Sequence, residues 1–79
     1  MTPDEKFLIA VYKKAKEKGN PQIPVNFKKI ALEIGQKETA IKNIIKHLAQ
    51  ANFVKKVEEH LIQLTPRGCA LVEEILGLN

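Results

Sequence analysis

Apolar residues recur with the period of a helix in the first part of the chain. They form one stripe, whose members are Leu8, Val11, Tyr12 and Ala15. This spacing of i, i+3, i+4 and i+7 predicts an amphipathic helix that turns the stripe toward a core. The opening segment T-P-D-E supplies a capping box and places proline in the first helical position. We expect this helix to end at about Lys18, because G-N-P follows.

Two more helical patterns occupy the middle of the chain. A short helix should begin after the cap Asn26 and end at Gly35. Its apolar face consists of Phe27, Ile30, Ala31 and Ile34. A third helix should cover residues 38–51. Its buried stripe consists of Ile41, Ile44, Ile45 and Leu48. Asn52 then holds the position after the helix, where a left-handed backbone is common and asparagine is tolerated.

β-branched and apolar runs predict a small sheet. Residues 23–25 suit a short edge strand, where a proline is tolerated. Two β-prone runs, residues 53–57 and 61–64, flank the turn E-E-H and predict a tight hairpin. The hairpin is followed by Thr65 and Pro66, which repeat the pattern of a cap and a proline and so start a last helix.

The last helix should end at Gly77. Its expected buried residues are Ala70, Leu71 or Val72, Ile75 and Leu76. The predicted order is therefore helix, short strand, helix, helix, strand, strand, helix. This order defines an α+β fold that is mostly helical, and a length of 79 residues predicts one domain, residues 1–79.

The positive charge of the chain is concentrated in its middle third. Residues 26–56 carry seven lysines and two glutamates, a net charge of +5. The rest of the chain carries six basic and seven acidic residues, a net charge of −1. Concentrated positive charge on one part of a small domain is typical of proteins that bind a polyanion.

Two sequence motifs accompany this order of elements. The first, I-A-L-E-I-G at residues 30–35, precedes the third helix, which ends in N-F-V; the second is L-T-P-R-G at residues 64–68. With these motifs the chain resembles the winged helix-turn-helix superfamily, in particular transcriptional regulators of the MarR and PadR type. The resemblance covers nearly the whole chain. It implies a three-helix core with a two- to three-stranded antiparallel sheet and a C-terminal helix, with the helix-turn-helix at about 26–51 and the wing hairpin at about 53–64.

The resemblance implies double-stranded DNA as the partner, with the third helix in the major groove and the chain acting as a small transcriptional regulator. The residues assigned to the DNA-binding surface are Lys28, Lys29, Lys37, Thr39, Ala40, Lys42, Asn43, Lys46, His47, Lys55 and Lys56. Lysine can donate to guanine or phosphate, asparagine can pair with adenine, and threonine can reach either a base or a phosphate.

Departures from the pattern leave a second interpretation open. Lys37 stands where serine or threonine usually caps the recognition helix, and lysine cannot accept bonds from the first-turn amides. Residues 26–56 contain no arginine, so bidentate arginine–guanine contacts are absent. Glu58 and Glu59 put negative charge at the hairpin tip. The alternative is a winged-helix module that binds another protein through its wing or terminal helices. A homodimer through the first and last helices is a third arrangement.

The chain offers little for catalysis or for metal binding. It contains no serine and no glycine-rich phosphate loop, and its soft ligands, His47, His60 and Cys69, lack zinc-site spacing. We therefore expect no enzymatic activity, no cofactor and no metal, with His60 solvated and Cys69 in the core or partly buried on the last helix. No apolar run approaches the roughly 20 residues that span a bilayer, and the start lacks a secretory hydrophobic region. A cytoplasmic location without membrane contact is the expectation, and the single cysteine fits a reducing compartment.

Overall fold

The computed structural model describes residues 1–78, and its elements follow the predicted order. They are α1 (Pro3–Glu17), β1 (Val25–Asn26), α2 (Phe27–Ile34), α3 (Glu38–Gln50), β2 (Val54–Glu58), β3 (Leu61–Leu64) and α4 (Pro66–Leu76). These residues thus form four helices and a three-stranded antiparallel sheet. The predicted α+β class with a mostly helical content is confirmed.

The helix ends follow the local chemistry of their caps. At the start of α1, Glu5 N–H donates to Thr2 Oγ1 at 3.2 Å, and Thr2 N–H donates to Glu5 Oε1 at 3.0 Å. The hydrogen bonds that the Thr2 amide and the Thr2 hydroxyl donate to the Glu5 carboxylate lower the pKa of Glu5. Asn26 caps α2 by accepting from the Lys28 amide at 2.9 Å. Lys37 makes no side-chain cap bond at the start of α3, as predicted.

The sheet has the order β1-β3-β2, so β1 lies at an edge. The predicted strand at residues 23–25 is displaced, because pairing begins only at Val25, opposite Ile62. Ile23 instead donates its amide to Asn20 in the preceding turn, and the proline that follows has no amide hydrogen to pair. In the hairpin, β2 continues to Glu58 through a bulge, which leaves a turn of two residues where three were expected.

One continuous apolar cluster joins all four helices and the sheet. The predicted stripes of α1 and α3 are buried in it, and Phe7, which was not predicted, is also fully buried. On α4 the prediction was partly wrong, because Ala70 is exposed and Gly68, which was not predicted, is buried. Val72 and Cys69 are buried as expected. Gly68 lies against the backbone of Phe53, just before β2, a contact that helical periodicity alone does not reveal.

Candidate nucleic-acid interface

The outward face of α3 lies opposite its buried stripe and carries most of the predicted side chains. Thr39, Asn43 and Lys46 are exposed and share one side of the helix, with Lys42 exposed on its flank. His47 is also exposed, and Ala40 is half-buried on the other flank. The burial of Ile41, Ile44, Ile45 and Leu48 fixes this orientation, because those four residues anchor the opposite side in the core.

Three lysines from two elements converge on a cleft of about 270 Å³, called the lysine cleft below. Its lining consists of Phe27, Lys42, Ile45, Lys46, Ala49 and Lys56. Lys42 and Lys46 are separated by one turn of α3. Lys56 reaches the cleft from β2, where it pairs with the buried Ile62 and shares the strand face of Val54. The three lysine side chains thus border a cleft with a mostly apolar lining, whose floor is taken as Phe27, Ile45 and Ala49.

The floor of the lysine cleft rests on a contact that the sequence did not predict. Phe27 is buried, and its ring meets the His60 ring edge-on, with 6.3 Å between the ring centroids. The Phe27 amide also donates to the His60 carbonyl at 3.1 Å. His60 is therefore half-buried, and its Nδ1 is buried without a hydrogen-bond partner among the described residues. The expectation of a solvated histidine at the hairpin tip was wrong, because the two-residue turn folds this ring onto the start of α2.

Glu38 is the acidic residue of this surface and was missed as a site residue. Its carboxylate lies 3.4 Å from Lys28 Nζ and 3.7 Å from Lys42 Nζ. The ammonium group of Lys28, and to a lesser extent that of Lys42, lowers the pKa of Glu38. The i, i+4 spacing of Glu38 and Lys42 was a signal in the sequence for one of these ion pairs. The pair with Lys28 joins α2 to α3 and depends on how the two helices cross.

Three lysines of the predicted DNA-binding surface lie outside both the lysine cleft and the ion pairs of Glu38. Lys29 is exposed and lines a separate cleft with Lys14, Glu17, Lys18 and Asn26, between the end of α1 and the start of α2. Lys55 pairs with Gln63 and points to the opposite face of the sheet from Lys56, because successive residues of a strand alternate. Lys37 is exposed just before α3. The candidate site therefore contains fewer residues than the predicted DNA-binding surface.

The end of the hairpin is acidic and exposed. Glu58 and Glu59 are both exposed, and Val57 beside them has 41% of its surface accessible. An apolar cleft of about 450 Å³ lies elsewhere, between the terminal helices and the end of α2. Its lining consists of Met1, Lys6, Ile9, Ala10, Lys13, Ile34 and Leu76. These two features are the surfaces that a protein partner could contact.

The cysteine and the possible metal-ligating side chains of the described residues do not form a group. Cys69 is buried, and burial raises the pKa of its thiol. Within residues 1–78, no three histidine, cysteine, aspartate or glutamate side chains are grouped so that they could hold a metal ion. Over the same residues, no helix has the length and apolar character needed to cross a bilayer.

Comparisons of the chain with protein-family models, with curated proteins and with solved structures find no match. Its function is therefore inferred from its own residues and their geometry.

Proposed function

We propose that the chain is a DNA-binding protein of the winged helix-turn-helix type, a small transcriptional regulator in which α3 enters the major groove. Helices α2 and α3 are then the helix-turn-helix, and the β2–β3 hairpin is the wing. The observation that carries this proposal is the convergence of Lys42, Lys46 and Lys56 on one cleft beside the outward face of α3. Three cations at one site offer a phosphate group several donors at once.

The geometry of α3 supports two roles for the residues of this surface, contact with base edges and contact with the phosphate backbone. A helix is about 10–12 Å wide, which matches a major groove of about 12 Å. Thr39 and Asn43 lie on the outermost side, where short donors can reach base edges. Lys42, Lys46 and Lys56 line the cleft beside it, where the phosphate backbone passes. Since this surface lacks arginine, we expect modest discrimination between sequences.

A salt titration of DNA binding tests this proposal. The affinity for a duplex should fall with salt, with a logarithmic slope of about −0.9 for each phosphate neutralised. The three lysines of the cleft predict a slope near −2.7, which is roughly a 40-fold loss of affinity between about 50 mM and about 200 mM salt. Fluorescence anisotropy with a labelled random-sequence duplex measures it. Binding that is absent at low salt, or unaffected by salt, would contradict the proposal.

A protein-interaction module that does not bind DNA is the second candidate. The exposed acidic end of the hairpin favours it, because phosphate would repel Glu58 and Glu59. Charge reversal separates the two candidates. If the chain binds DNA, Glu58→Lys with Glu59→Lys should preserve or strengthen binding to the duplex, since it adds positive charge. If the hairpin instead contacts a protein, the same variant should lose a partner that co-purifies with the wild type, while neither form shifts DNA.

A further inference from the structure

We propose that Glu38 attenuates the electrostatic binding of DNA to this surface, because its carboxylate weakens the binding of phosphate by the lysines around it. The inference rests on the proposed function. The affinity of a protein for a duplex of random sequence is almost wholly a matter of lysine–phosphate contacts. A carboxylate placed among those lysines therefore lowers this affinity.

The position of Glu38 supplies the physical basis. Its carboxylate lies within 3.4 Å of Lys28 Nζ, on α2, and within 3.7 Å of Lys42 Nζ, on α3. Lys42 also lines the lysine cleft, so one of the cleft cations already has an anionic partner in the free protein. A phosphate that approaches Lys42 must compete with this carboxylate for the ammonium group and is repelled by it. Both effects oppose electrostatic binding of any sequence.

Because these three side chains are exposed, a phosphate can displace the Glu38 carboxylate from the lysines, and the ion pairs can form again when it leaves. The Glu38 side chain is 49% accessible, and those of Lys28 and Lys42 are 43% and 63% accessible. Solvent-exposed ion pairs of this kind are weak and are broken at little cost. The lysines therefore remain available to a duplex. The carboxylate itself stays close to the interface and continues to repel phosphate.

Glu38→Gln tests the inference, because it removes the charge and keeps the size of the side chain. The variant should bind a random-sequence duplex more tightly than the wild type, with a salt slope steeper by about 0.9. The ratio of the two affinities should then widen about eightfold for each tenfold dilution of salt. Glu38→Asp, which keeps the charge, should retain the wild-type slope. Anisotropy titrations over a range of salt measure all three proteins.

Glu33→Gln is the matched control. Glu33 is also an exposed glutamate in a lysine ion pair, with 51% of its side chain accessible and its Oε1 at 2.8 Å from Lys14 Nζ. That pair joins α1 to α2, away from the lysine cleft. The control variant changes the net charge equally but should leave the slope close to that of the wild type.

The outcomes separate the two proposals from each other. An equal steepening in Glu33→Gln and Glu38→Gln would show an effect of net charge and would overturn the role of Glu38. An unchanged slope in Glu38→Gln, with salt-dependent binding by the wild type, would overturn it as well and leave the proposed function standing. If the wild type and both variants all fail to bind the duplex at low salt, the proposed function itself is wrong.

Discussion

Replacing Gly68 by alanine is expected to destabilise the fold by about 3 kcal/mol, the upper part of the range for overpacking. Helix propensity alone predicts the opposite, since alanine is favoured over glycine by about 1 kcal/mol inside a helix. Gly68 lies in the first turns of α4 and is buried. A Cβ at this position would overlap the backbone carbonyl of Phe53. Urea denaturation followed by circular dichroism measures the loss.

The overlap cannot be relieved by a side-chain rotation, because the Cβ is fixed to the backbone of residue 68 and the atom it meets is a backbone carbonyl; hydrogen bonds hold both segments in place. The Phe53 carbonyl accepts from the Thr65 amide at 3.1 Å. Thr65 Oγ1 in turn donates to the Asn52 carbonyl at 2.6 Å and accepts from the Gly68 amide at 3.0 Å. The start of α4 is thus bound to the segment between α3 and β2. Any movement that admits a methyl group breaks part of this junction.

Gly77→Ala is the control for this prediction. Gly77 ends α4 with a φ of 70°, and nothing lies within 4 Å of the position that a Cβ would take. Its replacement should cost only about 1 kcal/mol, from the left-handed backbone. If Gly68→Ala proves as mild as Gly77→Ala, the backbone around Phe53 yields to the added methyl group and the close approach does not limit this position.

The junction around Gly68 illustrates which features of the fold could be predicted from the sequence. Caps and helix ends are local, so Thr2, Asn26 and the left-handed Asn52, with a φ of 63°, followed from their immediate neighbours. The motif L-T-P-R-G was visible as a string, but its glycine had no physical reason until α4 was packed on Phe53. That contact joins positions far apart in the chain, and hydrophobic periodicity carries no information on it.

In the candidate site, too, some features could be predicted from the sequence and others could not. The outward face of α3 could be predicted, because it is the complement of a buried stripe of known period. The sequence could not predict which flanking lysines meet it. Lys56 joins Lys42 and Lys46 because β2 turns that side chain toward α3, whereas Lys55 and Lys29 face elsewhere. Counting charges over residues 26–56 treated all of them alike. Glu38 was likewise counted as one negative charge, although its position between Lys28 and Lys42 decides its effect.

The double variant Lys42→Ala with Lys46→Ala is expected to lower the salt slope of DNA binding by about 1.8, since two phosphate contacts are lost. The ratio of wild-type to variant affinity should then grow about 60-fold for each tenfold dilution of salt. Both side chains are exposed on α3, and alanine is a good helix former, so the fold should be retained. Thermal unfolding checks the fold, and anisotropy titrations over a range of salt measure the slope.

The companion double variant Lys6→Ala with Lys13→Ala removes the same charge from exposed positions of α1. These two lysines line the apolar cleft near the end of α4 and not the lysine cleft. Because counterion release depends on cations that contact phosphate, this variant should keep most of the wild-type slope. Equal losses in the two double variants would mean that the protein attracts DNA only through its net charge. A full slope in the α3 variant would remove Lys42 and Lys46 from the DNA interface and place the phosphate contacts elsewhere on the chain.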